Sequence, residues 1–288
     1  MSISPQAFAS HAFTSNYIVC EGREIHYTEW GAQHSEVVIA WHGLARTCRD
    51  MDDVAAHLAQ RFRVICPDTL GRGLSQWSPE PEKEYCLAFY VQQAMALVDQ
   101  LGLKEFHWLG TSMGGAIGLV AAATKLRGRV RRLILNDSGP QIADAAIARI
   151  RGYAGNPAAF ASVTELEQYF RTIYKPYGAL SDTQWRRLTE TSTRRLPDGR
   201  VTPHYDPAMV MQFSHHDNDY LLWTEWDSLD IPVLCLRGES SDLLLPDTAE
   251  QMRQRGPQAV VVEIAGCGHA PALNTPAQYA LVERFFAG

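Results

Sequence analysis

The chain has 288 residues, 46% of them hydrophobic and 20% charged, which is ordinary for a globular protein with a sizeable core. A net charge of −6 offers no basic surface to nucleic acid and disfavours anionic membranes. Residues Met1 to His11 lack the basic start and apolar stretch of a secretory signal, and no apolar run is long enough to span a membrane. We therefore expect a cytoplasmic protein with neither a nucleic-acid nor a membrane partner.

The six cysteines are scattered and include no Cys-x-x-Cys pair. Because a chain of this length needs no disulfide framework, we interpret them as reduced thiols that mostly act as small core side chains. They are Cys20, Cys48, Cys66, Cys86, Cys235 and Cys267.

Short apolar runs predict the strands of a sheet. Tyr17–Cys20 and Glu24–Trp30 flank a turn at residues 21–23, which predicts an antiparallel hairpin. Later runs are mostly apolar without alternation, as is typical of strands buried on both faces of a parallel sheet. These later runs are Val37–Trp41, Arg63–Cys66, Phe106–Leu109, Arg132–Leu135, Val233–Leu236 and Val260–Ile264.

Segments with helical spacing of apolar residues lie between the strands, and this alternation predicts an α/β fold. They are Met51–Gln60, Ala88–Leu101, Met113–Lys125 and Thr248–Arg255. From about residue 141 to 226 the pattern predicts helices and no strand. The helices expected there are Ala143–Arg151, Val163–Tyr174, Asp182–Thr191 and Pro207–His215. We therefore expect a core of residues 1–140 and 227–288 with a helical cap, residues 141–226, inserted into it.

The segment Gly110-Thr111-Ser112-Met113-Gly114 carries the strongest chemical signal. It is a Gly-x-Ser-x-Gly turn between a predicted strand and a predicted helix, and this context makes the motif far more specific than the five residues alone. A sharp turn of this kind exposes the serine hydroxyl at the carboxyl end of the strand. Ser112 is therefore the predicted nucleophile.

A serine hydroxyl needs a base, usually a histidine that a carboxylate orients. His269 follows the last predicted strand in Gly266-Cys-Gly-His-Ala-Pro, so its loop reaches the same sheet edge as Ser112. The acid should follow a strand between them in the chain. Asp242 is the preferred candidate, and Glu239 in the same loop and Asp137 after the strand ending at Leu135 are also candidates.

Acyl transfer also needs donors for the oxyanion. The backbone N–H of Met113, directly after the nucleophile, is one candidate, and the N–H of Leu44 in the loop after Val37–Trp41 is the other. His42 in that loop is interpreted as structural. The triad and these donors require no metal and no cofactor. The run from His215 to Asp219 is interpreted as a solvated loop or cap edge rather than a metal site.

With these residues in place, the chain resembles the α/β-hydrolase family with a helical lid. The resemblance rests on His42-Gly43, the segment Asp68–Ser75, the Ser112 turn, Asp242 and Gly268-His269. It covers nearly the whole chain outside the cap. It implies a mostly parallel eight-stranded sheet with an antiparallel start, an acyl-enzyme mechanism, and a structural role for Asp68–Ser75 below the site.

The expected activity is hydrolysis of a small-molecule carboxylic ester or lactone by a serine esterase. Ser112 disfavours the epoxide hydrolases and haloalkane dehalogenases of this fold, which use an aspartate nucleophile. Thr111 and Leu44-Ala45-Arg46 weaken the resemblance to the carbon–carbon bond hydrolases of meta-cleavage products, although such an activity is still compatible with the triad. A cofactor-free haloperoxidase and a non-catalytic small-ligand receptor on the same fold are compatible with it as well.

Overall fold

A computed structural model describes residues 13–288, so the expectation about Met1 to His11 lies outside the described residues. An eight-stranded sheet forms the centre of the described chain. Its strands are β1 (Thr14–Cys20), β2 (Arg23–Trp30), β3 (Val37–Trp41), β4 (Arg63–Pro67), β5 (Phe106–Thr111), β6 (Val130–Asn136), β9 (Val233–Gly238) and β10 (Val260–Ile264). A separate pair is formed by β7 (Thr193–Arg195) and β8 (Val201–Pro203).

The strand order in the large sheet is β1-β2-β4-β3-β5-β6-β9-β10. The strands β1 and β2 form an antiparallel hairpin and β2 pairs antiparallel with β4, while every pair from β4 to β10 is parallel. This confirms the predicted α/β class, with a mostly parallel sheet of eight strands and an antiparallel start. Parallel strands place their carboxyl ends at one edge, so the loops after β3, β5, β6, β9 and β10 meet there.

Helices cover both faces of the sheet and bury its apolar side chains. The α-helices are α1 (Asp52–Leu58), α2 (Pro81–Glu84), α3 (Leu87–Gln100), α4 (Met113–Ala123), α5 (Asp144–Ala154), α6 (Val163–Ile173), α7 (Asp182–Thr191), α8 (Gln212–His215), α9 (Trp223–Asp227), α10 (Pro246–Gln254) and α11 (Pro276–Ala287). Short 3-10 helices span Cys48–Met51, Lys175–Tyr177 and Pro207–Met211. The helices α3 and α4 belong to the hydrophobic cluster on one face of the sheet, and α1 and α11 belong to the cluster on the other.

The segment from α5 to α9, called the insertion below, interrupts the chain between β6 and β9 and is mainly helical. It has a hydrophobic cluster of its own that includes Leu166, Phe170 and Trp185. The expectation that it contains no strand is wrong, because β7 and β8 form a small antiparallel hairpin within it. Three residues a strand are too few for period-two alternation to become visible in a sequence.

The insertion is joined to the core by polar contacts. The amide of Gly268 donates to the carbonyl of Pro176 at 2.7 Å, and the amide of Ala272 donates to the carbonyl of Tyr177 at 3.1 Å. The guanidinium of Arg187 forms an ion pair with Asp53 at 2.7 Å. The two backbone contacts place the insertion against the loop that follows β10 and carries His269, and the ion pair places it against α1.

The six cysteines all lie in the described part of the chain, where they are buried and free. Burial raises the pKa of the Cys66 and Cys235 thiols, so these two behave as the inert core side chains that were expected. Over residues 13–288, no helix combines the length and apolar character that crossing a membrane requires.

Candidate active site

Ser112 lies at the junction of β5 and α4, where the chain turns sharply from strand to helix. Its backbone φ is 52°, in the left-handed region that a residue with a side chain rarely adopts. The carbonyl of Ser112 accepts from the amides of Gly115 and Ala116, so α4 starts immediately after the serine. The strained turn thus holds the Ser112 hydroxyl at the positive end of α4.

The two glycines of the motif permit this turn because the backbone segments approach closely. A Cβ atom at Gly110 would lie 2.2 Å from the carbonyl oxygen of Gly114. One at Gly114 would lie 2.4 Å from the carbonyl oxygen of Trp41. No side chain fits at those distances, which explains the spacing of the motif.

A hydrogen-bonded chain of three side chains contains Ser112 and His269. The Oγ of Ser112 lies 3.0 Å from Nε2 of His269, and Nδ1 of His269 lies 2.6 Å from Oδ2 of Asp137. The Asp137 side chain is fully buried, whereas the imidazole of His269 retains 18% exposure. The geometry is that of a nucleophile, a base, and a carboxylate that orients the base.

Asp137 is held firmly in this position. It follows β6 by one residue, and its Oδ1 accepts from the amide of Gly238 at 2.8 Å. Its Oδ2 also accepts from the hydroxyl of Ser241 at 2.6 Å. These donors fix the direction of the carboxylate toward His269.

The prediction that Asp242 is the acid is wrong in the structure. Asp242 lies four residues beyond the end of β9, its side chain is 58% exposed, and its carboxylate pairs with Arg149 of α5 at 2.7 Å. Glu239 is also directed elsewhere, since its Oε2 accepts from the amide of Gly266. The structure therefore selects Asp137, the third of the carboxylates that the sequence offered.

The loop after β3 lies beside Ser112, as expected, and buried polar contacts fix its backbone. Nδ1 of His42 lies 2.6 Å from the carbonyl of Gly43, and its Nε2 accepts from the amide of Thr69 at 3.0 Å. Burial lowers the pKa of His42 to about 4, so the ring is neutral at neutral pH. The fully buried Arg72 donates to the carbonyl of Leu44 at 2.8 Å. The expected structural role of His42 agrees with this arrangement.

A cavity of about 360 Å³ lies between Ser112 and the insertion. The core contributes Gly43, Leu44, Ala45, Arg46, Thr111, Ser112, His269 and Ala270 to its wall, and the insertion contributes Arg149, Ile150, Tyr169, Ile173, Tyr174 and Tyr177. Most of these side chains are apolar or aromatic, with a few polar groups near Ser112. A site of this size and lining is typical of a small-molecule pocket.

A second serine–histidine–aspartate chain lies near the start of the sheet and was not foreseen from the sequence. The Oγ of Ser15 lies 2.7 Å from Nε2 of His26, and Nδ1 of His26 lies 2.7 Å from Oδ2 of Asp68. Ser15 is exposed near the start of β1, and the strand continues past it to Cys20. Ser15 therefore has the same hydrogen-bond order as Ser112, without a strained turn or a helix start.

Two of these residues also belong to the group with metal-ligand spacing in the described part of the chain, which is His26, Cys48 and Asp68. Oδ1 of Asp68 accepts from the amide of Cys48 at 2.6 Å, and its Oδ2 accepts from the amide of Leu74. Burial raises the pKa of the Cys48 thiol well above its ordinary value, which opposes the thiolate that a metal requires. The chemistry of this group therefore fits a buried structural hub better than a metal site.

The run from His215 to Asp219 contacts α2 and the start of α3. Nε2 of His216 lies 2.8 Å from the carbonyl oxygen of Glu82, and Oδ2 of Asp219 accepts from the amide of Leu87 at 2.8 Å. Asp219 thereby supplies an acceptor to the first turn of α3.

Residues 36–276 match the model of the alpha/beta hydrolase fold. The chain belongs to this family. It is 38% identical over 272 residues, 91% of this chain and 92% of the relative, to a 3-hydroxybutyrate-oligomer hydrolase of Cupriavidus necator. It is 26% identical, over 80% of this chain and 78% of the relative, to a 2-hydroxymuconate semialdehyde hydrolase of Pseudomonas putida.

A solved alpha/beta hydrolase from Novosphingobium aromaticivorans superimposes with a TM-score of 0.84 at 30% identity, covering 96% of this chain and 98% of the other. Fold and relatives together make this alpha/beta hydrolase a hydrolytic enzyme. The relatives named above differ in what their names say they act on, so the bond that is cleaved has to be argued from the site.

Proposed function

We propose that this alpha/beta hydrolase is a serine esterase that cleaves the ester bonds of short 3-hydroxyalkanoate oligomers, with 3-hydroxybutyrate oligomers as the reference substrate. The observation that carries the proposal is the Ser112–His269–Asp137 chain, which opens on a covered cavity of about 360 Å³. The relative that is 38% identical along nearly the whole chain supports the choice of substrate class.

In the proposed reaction the hydroxyl of Ser112 attacks the ester carbonyl and Nε2 of His269 takes the hydroxyl proton. Asp137 accepts from Nδ1–H of His269, which keeps Nε2 free as the base and stabilises the imidazolium that forms. When the tetrahedral intermediate collapses, the carbonyl carbon separates from the alkoxy oxygen. His269 then returns its proton to that oxygen, so the alcohol leaves and the acyl group stays on Ser112.

The oxyanion of the intermediate needs donors placed before the reaction starts. We assign this role to the backbone N–H groups of Met113, at the first position of α4, and of Leu44. The contacts from His42 to the carbonyl of Gly43 and from Arg72 to the carbonyl of Leu44 support the second assignment, because they fix the orientation of those two peptide units. Removing one such donor typically costs about 10²- to 10³-fold in turnover.

Deacylation repeats the sequence with water. His269 takes a proton from a water molecule while the water oxygen attacks the acyl carbon. The proton then passes to the Ser112 oxygen as the acid leaves. The balance is one ester and one water consumed for one hydroxy acid and one carboxylic acid released. The aromatic wall from Tyr169, Tyr174 and Tyr177 limits access of bulk water to the acyl-enzyme.

The proposal is tested with purified wild-type enzyme on three substrates: p-nitrophenyl butyrate, the linear dimer of 3-hydroxybutyrate, and a vinylogous diketone. Release of p-nitrophenol and of 3-hydroxybutyrate, together with labelling of Ser112 by a fluorophosphonate probe, is the expected result. Cleavage of the diketone and of neither ester would contradict the esterase proposal and would indicate a carbon–carbon bond hydrolase. Saturable dimer binding without turnover or labelling would replace it with a receptor.

A further inference from the structure

Two arginines line the cavity beside Ser112, and they differ in how their charge is held. Arg46 is buried, and its Nε and Nη2 each lie 2.6 Å from a different carboxylate oxygen of Asp50. Its guanidinium also lies 4.5 Å from the ring centroid of Tyr174 and donates to Ser192. The charge of Arg46 is therefore already neutralised in a fixed geometry.

Arg149 is held much more loosely. It projects from α5 of the insertion, its side chain is 50% exposed, and its contact with Asp242 is one hydrogen bond of 2.7 Å to a carboxylate that is 58% exposed. Exposed single pairs of this kind contribute little free energy, since water competes for both groups. The guanidinium of Arg149 can thus exchange Asp242 for another carboxylate at small cost.

We propose that Arg149 binds the free carboxylate of the oligomer substrate, and that Asp242 holds the guanidinium at the cavity until the substrate carboxylate replaces it. This inference rests on the proposed function. In a linear 3-hydroxybutyrate dimer the free carboxylate is two carbons from the scissile ester oxygen, so it lies on the part that leaves as alcohol. Arginine suits this task because its planar fork matches the two oxygens of a carboxylate.

The exchange would also couple substrate binding to the insertion. Asp242 belongs to the core loop after β9, whereas Arg149 belongs to the insertion, so their ion pair joins the two parts, and Arg149 also lines the cavity. A bound substrate carboxylate would take over the place of Asp242 as the partner of the Arg149 guanidinium, which lines the same cavity as Ser112. Asp242 would then act as an internal competitor for the substrate carboxylate.

The test compares Arg149→Gln, Arg149→Lys and Asp242→Asn with the wild type. The substrates are the 3-hydroxybutyrate dimer and its methyl ester, and chromatography measures the cleavage of the internal ester bond. For Arg149→Gln we expect KM for the dimer to rise about tenfold or more, with a much smaller change for the uncharged methyl ester. Arg149→Lys should lie between wild type and Arg149→Gln, because the charge is kept without the fork. Asp242→Asn should leave KM for the dimer unchanged or lower it, since the competing carboxylate is gone.

A merely structural ion pair would not give a rise in KM for the dimer in Arg149→Gln without a similar rise in Asp242→Asn. If both variants raised KM for dimer and methyl ester alike, the pair would be only a fastening between core and insertion, and the inference would be overturned. A wild-type enzyme that cleaves neither the dimer nor p-nitrophenyl butyrate would instead contradict the proposed function itself. The two failures are therefore distinguishable.

Discussion

Two serine–histidine–aspartate chains lie in one molecule with nearly the same hydrogen-bond lengths. The serine–histidine and histidine–aspartate distances are 3.0 and 2.6 Å for Ser112, and 2.7 and 2.7 Å for Ser15. Each serine lines a cavity, but Ser112 sits in a strained turn at a helix start, whereas Ser15 sits on a regular strand at an exposed position. Under the proposed function, hydrogen-bond order alone does not make a nucleophile, and Ser112 differs from Ser15 in its strained turn and in the oxyanion donors that we assign beside it.

The Ser15 chain has a structural explanation. Asp68 accepts from His26 on β2, from the amide of Cys48, and from the amide of Leu74, so it joins three segments of the core. Burial alone would raise the pKa of Asp68, but the hydrogen bond from His26 and the other donors lower it overall. These hydrogen bonds between separate core segments give Asp68 a structural role.

Replacing each serine by alanine is the strongest test of that contrast. We expect Ser112→Ala to lower kcat by at least about 10⁴-fold, because the group that forms the acyl-enzyme is lost. The matched variant Ser15→Ala should keep kcat within about twofold of wild type, as a surface substitution away from the site. The measurement is p-nitrophenyl butyrate hydrolysis at saturating substrate, with circular dichroism to check that both variants fold. A large loss of kcat in Ser15→Ala would contradict this and would indicate that Ser15 takes part in the reaction.

Replacing the two aspartates by asparagine should separate a catalytic from a structural carboxylate. Asp137→Asn is expected to reduce kcat by about 10³- to 10⁴-fold, since the imidazole loses its orientation and the stabilisation of its charged form. Asp68→Asn is expected to lower the free energy of unfolding by about 2–4 kcal/mol, because an amide nitrogen would face buried donors. Its kcat, measured well below the unfolding temperature, should change little.

Urea unfolding measures the stability of Asp137→Asn and Asp68→Asn, and initial rates measure their kcat. Asp242→Asn is the control for the loop after β9. If Asp242→Asn lost as much kcat as Asp137→Asn, the acid assignment would return to Asp242. Equal losses of stability and of kcat in Asp68→Asn and Asp137→Asn would remove the distinction between the two chains.

The sequence alone does not distinguish Asp137 from Asp242 as the partner of His269. Both follow strands that end at the same sheet edge, and β6 and β9 are neighbours there, with Asn136 paired to Leu236. What separates the two is the distance past the strand end, one residue against four, and that distance decides which carboxylate stays buried beside His269. The short distance between Asp137 and the end of its strand is a sequence feature that favours Asp137. The conformation of each loop cannot be read from the sequence pattern.

The strands and the Ser112 turn were predictable because their causes are local. The bounds of β3 and β10 follow directly from apolar runs, and the Ser112 turn follows from glycines that a close backbone approach requires. The Arg149–Asp242 pair and the Ser15 chain depend on segments that are 93 and up to 53 residues apart along the chain. Contacts over such separations depend on tertiary packing, which no local pattern encodes.

The buried His42 differs from His269 and His26, because its ring hydrogen bonds go to the backbone of Gly43 and to Thr69 rather than to a carboxylate. Burial lowers the pKa of His42 to about 4, below the ordinary value of 6.5. The unfolded chain therefore binds a proton at His42 more readily than the folded one. The stabilisation is complete above about pH 6.5 and is lost as the pH falls toward 4, up to about 3 kcal/mol.

We expect the urea-unfolding free energy of the wild type to fall by about 1 kcal/mol per pH unit more than that of His42→Gln between pH 6.5 and 4. Parallel curves for the two proteins would contradict the neutral, buried state of His42. If the variant does not fold, an NMR titration of the His42 ring in the wild type tests the same prediction. Protonation of the ring near pH 6.5 would show that the ring is solvated and would contradict the prediction. A neutral His42 keeps the Gly43-Leu44 backbone fixed at neutral pH, so the oxyanion donors assigned there should persist under the conditions in which His269 works as a base.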